Sequence, residues 1–200
     1  MKLYYFAAAC SLASNIALRE AGLKFELVKV NRHTHKTAEG QDYYEINPKG
    51  YVPALMLDNG DVLTENVAVL QYIADRNPAA KLAPPFGTME RYHLVEWLAF
   101  INSEVHKGFS PLFREDAPED TKQYVRQNLS KRLEYLSGVI AGRPYLTGEQ
   151  FTIADAYLFT VLSWGAYLKF DIGAQLQRYV ENIGKRPHVI EALKAEGLIK

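Results

Sequence analysis

The apolar pattern of the chain changes near residue 80, and this change limits the possible folds more than any other feature. Before it, strand-like and helix-like stretches alternate, whereas after it the pattern is helical throughout. Three prolines and one glycine fall within residues 78–87, a composition typical of a segment that joins two domains. We therefore predict an N-terminal domain over residues 1–79, a linker over 80–87 and a C-terminal domain over 88–200.

The first eighty residues predict a βαβ unit followed by a β-hairpin and a second helix. Residues 2–6 and 25–30 have strand-like composition, and residues 12–21 between them have the apolar spacing of a helix. Asp58-Asn59-Gly60 supplies a tight turn between two antiparallel strands. Helical spacing resumes after Asn66, a residue type that favours the N-cap position.

Two apolar stripes with helical spacing follow the linker and predict the helices of a bundle. The first consists of Leu94, Leu98, Ile101 and Val105, and the second of Val125, Leu129, Leu133, Leu136 and Ile140. The segment Thr152-Ile-Ala-Asp155 has the pattern of a capping box, and the helix that it opens is apolar on nearly every side as far as Leu168. We predict that this helix lies at the centre of an all-helical domain.

The charge balance excludes several classes of function. The 200 residues include 23 Lys and Arg and 23 Asp and Glu, with no run of five like charges, so we expect no nucleic-acid partner. No apolar stretch reaches the roughly 18 residues that a membrane span needs, and the N-terminus lacks the long apolar segment of a signal peptide. We therefore expect a cytoplasmic protein with no membrane partner.

The single cysteine, Cys10, permits neither an internal disulfide nor a cysteine-based zinc cluster, and we expect no metal. It lies between the first strand and the first helix, where the helix N-terminus favours a thiolate, although a small buried apolar side chain fits the same position. Ser11 beside it is either an N-cap or a hydroxyl donor. Because residues 10–13 are Cys-Ser-Leu-Ala, disulfide chemistry here needs a thiol from a small molecule.

Two further segments of the N-terminal domain are candidates for ligand binding. Pro53 begins a strand, and a cis bond after Val52 would present the backbone to an extended ligand, whereas a trans bond would mark an ordinary edge strand. Glu65 and Asn66 lie where a strand ends and a helix begins, so they either hold a carboxylate and an amine or simply cap the helix.

The helical domain offers one histidine and an aromatic cluster. His106 and Lys107 follow the first apolar stripe, and His106 is either functional or merely structural. The aromatic residues either belong to the core or line an apolar pocket. They are Phe109, Phe113, Tyr157, Trp164 and Tyr167.

Four segments, in their order and spacing, resemble glutathione transferases over essentially the whole chain. They are Tyr4-Tyr-Phe-Ala-Ala-Ala-Cys10-Ser11, Asn47-Pro-Lys-Gly-Tyr-Val52-Pro53-Ala-Leu, Leu63-Thr-Glu65-Asn66 with Gln71-Tyr-Ile-Ala-Asp75, and Phe151-Thr-Ile-Ala-Asp155-Ala. Cys10, Glu96-Trp97 and the segment from Glu104 through His106-Lys107 to Phe113 further resemble the bacterial beta class.

The resemblance implies a thioredoxin-like N-terminal domain that binds glutathione as co-substrate, a helical domain that binds a small apolar electrophile, and a homodimer. The catalytic candidates that it implies are Cys10, Ser11, His106 and Tyr5. The implied glutathione contacts are Cys10, His35, Val52 with a cis Pro53, Glu65, Asn66, Ser103, Glu104, His106 and Lys107, of which Ser103 and Glu104 reach across the dimer interface. Phe109, Phe113, Tyr157, Trp164 and Tyr167 are the candidates for the electrophile pocket.

Three positions depart from the family pattern. His35 stands where the family often has a lysine that meets the glycyl carboxylate of glutathione, and Ala99 stands where it often has an asparagine near the sulfur. Either glutathione affinity or thiolate stabilisation is therefore predicted to be weaker than in the class. Asn66 replaces a more usual small residue, and its side chain is a candidate for an added contact with the γ-glutamyl carboxylate.

The predicted reaction is conjugation of the glutathione thiolate to small apolar electrophiles, as in detoxification. One alternative is a glutathione-dependent oxidoreductase or peroxidase that forms a mixed disulfide at Cys10. Another is a non-catalytic protein that binds apolar compounds.

Overall fold

The computed structural model describes residues 1–200, which form two compact units. One unit comprises residues 1–83 and 186–200, and the other comprises residues 84–185. The composition break predicts that residues 186–200 belong with the helices, but in the structure they pack with the N-terminal unit. A contact between segments so far apart in the chain leaves no mark on local composition.

The helices and strands follow the predicted order closely. They are β1 (Lys2–Tyr5), α1 (Ser11–Glu20), β2 (Glu26–Lys29), β3 (Ala54–Met56), β4 (Val62–Thr64), α2 (Asn66–Arg76), α3 (Met89–Phe100), α4 (Lys107–Phe109), α5 (Glu119–Val139), α6 (Ile153–Tyr167), α7 (Ala174–Gly184) and α8 (Pro187–Ala195). A π-helical turn at Ile101–His106 connects α3 to α4. None of the helices is long and apolar enough to cross a membrane.

The four strands form one mixed sheet in the order β2-β1-β3-β4. β1 pairs parallel with β2 and antiparallel with β3, and β3 pairs antiparallel with β4. This confirms the predicted βαβ unit and hairpin. Leu3 and its partner Leu55 have no exposed surface, and helices α1, α2 and α8 belong to the same unit.

The second unit is helical throughout, which confirms the predicted α/β plus all-α fold class. Both apolar stripes are buried except Val125, which is half-buried near the start of α5. The predicted capping box is present at Thr152 and Asp155, and most of α6 is buried on every side. Helix α6 is therefore the central helix of this unit, as its composition predicts.

Candidate active site

Cys10 is the N-cap residue of α1, and no side chain caps this helix. Its side chain is half-buried, and its Sγ donates a hydrogen bond to the carbonyl of Val52 at 3.2 Å. The position combines partial access to solvent with the positive end of a helix, which are the conditions that favour a reactive thiol. Of the two interpretations left open by the sequence, the reactive thiol fits this geometry better than a buried apolar residue.

Ser11 and Tyr5 lie beside Cys10 in the chain but are turned into the protein. Ser11 is the first helical residue rather than the N-cap, is fully buried, and donates from its hydroxyl to the carbonyl of Phe6 at 3.3 Å. Tyr5 is also buried, and burial raises the pKa of its hydroxyl, with a smaller contribution from Glu196. In this structure the Ser11 side chain therefore closes the turn that carries Cys10, and Tyr5 belongs to the core below it.

The Val52–Pro53 peptide bond is cis, as the resemblance implies. The backbone just before it is fixed by two side chains that sequence reasoning missed. The Tyr43 hydroxyl and the Asn47 amide both donate to the carbonyl of Tyr51, each at 2.7 Å. Asn47 lies in the Asn-Pro-Lys-Gly turn and could have been found from that motif, whereas Tyr43 gives no local signal.

Glu65, and not Asn66, is the N-cap residue of α2, so the predicted N-cap is wrong by one position. Glu65 has a left-handed backbone with φ of 68°, which is uncommon outside glycine, and its exposed carboxylate pairs with Lys49. No side chain caps the backbone N–H groups at this helix start.

Asn66 is 5% exposed because its side chain joins α2 to α1. Its Oδ1 accepts a hydrogen bond from Ser14 at 2.7 Å, and its Nδ2 donates to the carbonyl of Cys10 at 3.2 Å. The predicted contact of this side chain with a ligand carboxylate is therefore not supported. Its role is to connect the start of α2 with the residue that carries the thiol.

His35 lies in the loop between β2 and β3 with a left-handed φ of 52°. Its ring stacks on Tyr44 with centroids 4.8 Å apart and contacts Phe6 edge-on at 6.0 Å. These aromatic contacts orient the His35 ring. The lysine that the family often has at this position has no ring with which to make them.

The second unit contains the remaining predicted residues, and His106 has the best-defined surroundings among them. His106 Nδ1 lies 2.7 Å from the Tyr157 hydroxyl, which donates to Asn102 Oδ1 at 3.0 Å. Burial lowers the pKa of His106 to about 4, and the nearby Lys107 ammonium adds to this shift. The imidazole is therefore neutral at pH 7, so it offers hydrogen bonds but no positive charge.

Asn102 is a third residue that sequence reasoning missed. The π-helical turn contains both Asn102 and His106, and the Lys107 amide donates to the carbonyl of Asn102. Such turns are frequent at functional sites. Their extra residue per turn has no signature in apolar spacing.

Ser103 and Glu104 lie in the same turn. The Ser103 hydroxyl donates to the Ala99 carbonyl at 3.0 Å, and Glu104 accepts from Arg132 Nε at 2.8 Å. Both contacts are made within this unit, and Lys107 is exposed.

Four of the five predicted pocket aromatics are in contact through Trp164 and Phe113, and the fifth, Tyr157, contacts His106 edge-on at 5.9 Å. Trp164 packs edge-on against Phe109 at 6.0 Å and Phe113 at 5.4 Å, and Phe113 stacks on Tyr167 at 6.0 Å. Phe109 and Tyr157 are fully buried and belong to the core, whereas Tyr167 is 80% exposed. Tyr167 and the half-buried Phe113 therefore present surface to a ligand, and Trp164 behind them is 8% exposed.

No group of three or more His, Cys, Asp or Glu side chains in residues 1–200 could hold a metal ion. The chemistry available to these residues is that of a thiol, backbone donors and acceptors, one exposed carboxylate and a neutral imidazole.

Comparisons with known proteins match this chain over nearly its full length. The N-terminal domain family of glutathione S-transferases matches residues 1–75, and the C-terminal domain family matches residues 100–187. The glutathione S-transferase GstA of Escherichia coli O157:H7 is 47% identical over 200 residues, which cover 99% of this chain and 100% of the relative.

Two solved structures have nearly the same backbone. A sphingomonad glutathione S-transferase complexed with glutathione is 47% identical with a TM-score of 0.95, and the match covers 100% of both chains. The bacterial beta-class glutathione S-transferase of Sphingomonas chungbukensis is 45% identical with a TM-score of 0.95, again over 100% of both chains. The chain therefore belongs to the glutathione S-transferase family, within its bacterial beta class.

Proposed function

We propose that this enzyme conjugates glutathione to small apolar electrophiles, with Cys10 at the centre of its glutathione site. The observation that carries the proposal is the placement of Cys10 at the uncapped start of α1, with its Sγ on the Val52 carbonyl beside a cis proline. Backbone of this kind pairs with an extended peptide in the manner of an added strand.

The glutathione contacts follow from the groups that remain available in the N-terminal unit. The Val52 backbone pairs with the cysteinyl part of glutathione. The exposed Glu65 carboxylate binds the γ-glutamyl amine, which takes the place of the Lys49 ammonium that pairs with Glu65 in this structure. The uncapped N–H groups at the start of α2, beginning with that of Asn66, hold the γ-glutamyl carboxylate. The Asn66 side chain takes no part.

Conjugation requires that glutathione bind as its thiolate. A thiol has a pKa near 8.5, and lowering it by two units needs about 2.7 kcal/mol of preferential stabilisation. One helix N-terminus together with one or two hydrogen bonds supplies an amount of that order. The thiolate sulfur then forms a bond to the electrophilic carbon while the leaving group departs with its electron pair.

We propose that His106 acts in this step as a neutral hydrogen-bonding group and not as the base, because burial lowers its pKa to about 4. We propose that His106, Lys107, Ser103 and Glu104 contribute to glutathione binding as the family resemblance implies, and that Phe113, Trp164 and Tyr167 contribute to electrophile binding.

A second function, thiol-disulfide exchange, is supported by Cys10 itself. The Cys10 thiolate would attack the glutathione sulfur of a mixed disulfide between glutathione and a second thiol, forming a Cys10–glutathione disulfide and releasing that thiol. A reduced glutathione thiolate would then attack this disulfide, release the Cys10 thiolate and form oxidised glutathione.

The test compares the natural protein with the Cys10→Ala variant in two assays. The assays are conjugation of reduced glutathione to an activated aryl halide, and mass spectrometry for an added glutathione after treatment with oxidised glutathione. We expect the mixed disulfide only in the natural protein, and we expect conjugation in the natural protein.

The variant's conjugation rate then assigns the role of Cys10. A loss of both activities makes Cys10 the common centre, whereas retained conjugation restricts Cys10 to exchange and assigns stabilisation of the thiolate to the uncapped start of α1. Glutathione binding without turnover on a panel of electrophiles would instead support a protein that stores apolar compounds.

We further propose a homodimer and a cytoplasmic, detoxifying role. Exposed apolar side chains on α3 and α5, including Met89, Tyr92 and Tyr135, support an interface on the helical unit. Light scattering after size exclusion tests this, because a dimer has twice the chain mass of 22.6 kDa.

A further inference from the structure

Glu196 lies just after α8 and inserts its carboxylate into the N-terminal unit. The residue is only 5% exposed. Its Oε2 accepts a hydrogen bond from the backbone amide of Ala8 at 3.1 Å, and its Oε1 accepts one from Asn15 Nδ2 at 3.1 Å. A residue from the end of the chain thus binds the segment that precedes Cys10.

Within that segment, Ala8 is the residue with a left-handed backbone. Its φ of 61° costs free energy for any residue other than glycine. This conformation points its N–H at Glu196 and sets the start of the turn that ends in Cys10. The same turn is closed by a hydrogen bond from the Ala9 amide to the Phe6 carbonyl at 3.1 Å.

The charged and titratable groups around Glu196 come from three elements. On α1, Arg19 Nε donates to Asn15 Oδ1 at 2.9 Å, and Arg19 Nη1 lies 3.5 Å from Glu191 on α8. On β1, the Tyr5 hydroxyl interacts with Glu196, and burial keeps this hydroxyl neutral. On α8, His188 lies 3.4 Å from Glu191.

We infer that Glu196 is a positioning residue for the reaction, and that its ionised carboxylate holds the Ala8–Cys10 turn so that the Cys10 thiol stays on the Val52 carbonyl. The inference rests on the proposed function only in placing Cys10 at the centre of the glutathione site. It adds a link between the C-terminal segment and the reactivity of that thiol.

The link is pH-dependent because a carboxylate accepts hydrogen bonds from two N–H groups better than a protonated carboxyl does. Burial raises the pKa of Glu196 to about 7, and the contacts with Asn15, Ala8 and Arg19 oppose this shift. The turn is therefore held most firmly above pH 7 and is released as the pH falls below it. A thiol that leaves the Val52 carbonyl is more accessible to reagents.

The experiment measures alkylation of Cys10 by iodoacetamide from pH 5.5 to 8.5, with mass spectrometry as the readout. The thiolate sulfur displaces iodide, and because the chain has one cysteine, each addition reports Cys10. No glutathione turnover enters the measurement, so its result is independent of whether the enzyme conjugates glutathione. The rates are compared between the natural protein and Glu196→Gln.

We expect Glu196→Gln to react roughly tenfold faster than the natural protein above pH 8 and at an equal rate below pH 6. The ratio of the two rates then changes with a midpoint near the pKa of Glu196, while the titration of Cys10 itself cancels. A ratio that is constant over the whole pH range overturns the proposal, even if the variant is less stable.

Glu191→Gln is the matched control, because it removes a carboxylate from α8 and from the vicinity of Arg19 and His188 without touching Ala8. Its rate ratio to the natural protein is expected to show no midpoint near pH 7. A midpoint of the same size in this control would assign the effect to the general charge of α8 and overturn the role of Glu196.

A second measurement uses the natural protein alone, in case Glu196→Gln does not fold. The amide resonance of Ala8 in a ¹H–¹⁵N spectrum is expected to titrate with a midpoint of about 7. An Ala8 resonance that does not change between pH 6 and 8 overturns the proposal.

A double variant tests the hydrogen-bond pattern directly. Asn15→Asp with Glu196→Gln exchanges the amide and the carboxylate, so the amide oxygen now at position 196 accepts from Ala8 while the amide nitrogen there donates to the carboxylate at position 15. We expect slow alkylation to return in the double variant. Failure of this recovery in a folded double variant contradicts the assigned contacts.

Discussion

Helices α2 and α6 both begin at an acidic motif, but only one start is completed by its own side chains. At α6, Asp155 accepts from the Thr152 amide and hydroxyl, from the Leu146 amide and from the Tyr179 hydroxyl, at 2.6 to 2.9 Å. At α2, Glu65 is exposed, forms no capping bond and pairs with Lys49. The Asp155 carboxylate is fully hydrogen-bonded within the fold, whereas the Glu65 carboxylate remains available to a ligand.

The difference separates stabilisation from binding in residues of nearly the same chemistry. A buried carboxylate with four donors is costly to remove, because each donor would lose its partner. An exposed carboxylate with one flexible partner contributes little to folding, so its free energy of interaction remains for glutathione. Substitution of Asp155 should therefore lower stability, whereas substitution of Glu65 should lower glutathione affinity and leave stability nearly unchanged.

The largest effect is expected for Asp155→Ala, which leaves four buried donors without their acceptor. We expect the free energy of unfolding to fall by about 4 kcal/mol, a loss typical of removing one partner from a buried polar network. Urea denaturation measures this change. Asp116→Asn is the control, because Asp116 is exposed and pairs only with Arg114 at 2.8 Å. A loss below roughly 1 kcal/mol for Asp155→Ala would contradict the assigned network.

A second prediction compares the two units through their pH dependence. Glu196 has a folded pKa of about 7 and an ordinary value of 4.5, so folding retains its proton and the free energy of unfolding falls as the pH rises from 4.5 to 7. His106 has a folded pKa of about 4 and an ordinary value of 6.5, so the unfolded chain binds the proton and the free energy of unfolding rises from pH 4 to 6.5. Each effect amounts to at most about 3 kcal/mol.

The two contributions oppose each other in the natural protein, and single variants should separate them. Relative to the natural protein, Glu196→Gln is expected to gain stability with rising pH, and His106→Gln is expected to lose it. Denaturant unfolding at steps between pH 4.5 and 7.5 measures both profiles. His33→Gln, at an exposed histidine, is the control. Variants that both change the profile in the same direction would contradict the assigned pKa shifts.

Glu65→Gln should show the reverse of Asp155→Ala. We expect glutathione affinity to fall about tenfold, because a charge-assisted contact with the γ-glutamyl amine is lost. The free energy of unfolding should change by less than about 0.5 kcal/mol, since the Lys49 pair is exposed. Calorimetric titration with glutathione measures the affinity, and Glu39→Gln, at another exposed carboxylate, is the control. An unchanged affinity would remove Glu65 from the glutathione site.

The sequence predicts the elements whose signals are local. The βαβ unit, the Asp58–Gly60 turn and the Thr152–Asp155 capping box each depend on residue types at fixed short spacing, and all three are confirmed. The family resemblance supplies what spacing leaves open, including the cis bond before Pro53.

The features that were missed depend on contacts between distant residues. Glu196 and Ala8 are 188 positions apart, and nothing around either residue indicates the other. Asn66 has the composition of an N-cap, but Ser14 and the Cys10 carbonyl draw its side chain inward. His106 is neutral because burial of its ring lowers its pKa. Apolar spacing predicts which face of the helix is buried, but it does not predict the burial of this one side chain.

The smallest effect is expected from adding a positive charge at position 35 of the N-terminal unit. Its effect on glutathione affinity is compared with that of the charge of Glu65. His35→Lys installs the residue that the family often has at this position, but it also removes the stack of the His35 ring on Tyr44 at 4.8 Å. We expect glutathione to bind about threefold more tightly at low salt, because an exposed ion pair between this lysine and the glycyl carboxylate of glutathione contributes less than about 1 kcal/mol. The gain should disappear near 1 M salt, where the screening length falls to about 3 Å. Calorimetry at the two salt concentrations separates the effect of the added charge from that of the lost stack. Tighter binding that persists at high salt would show that the charge is not its cause. Weaker binding at both salt concentrations would show that the His35 ring itself supports the glutathione site.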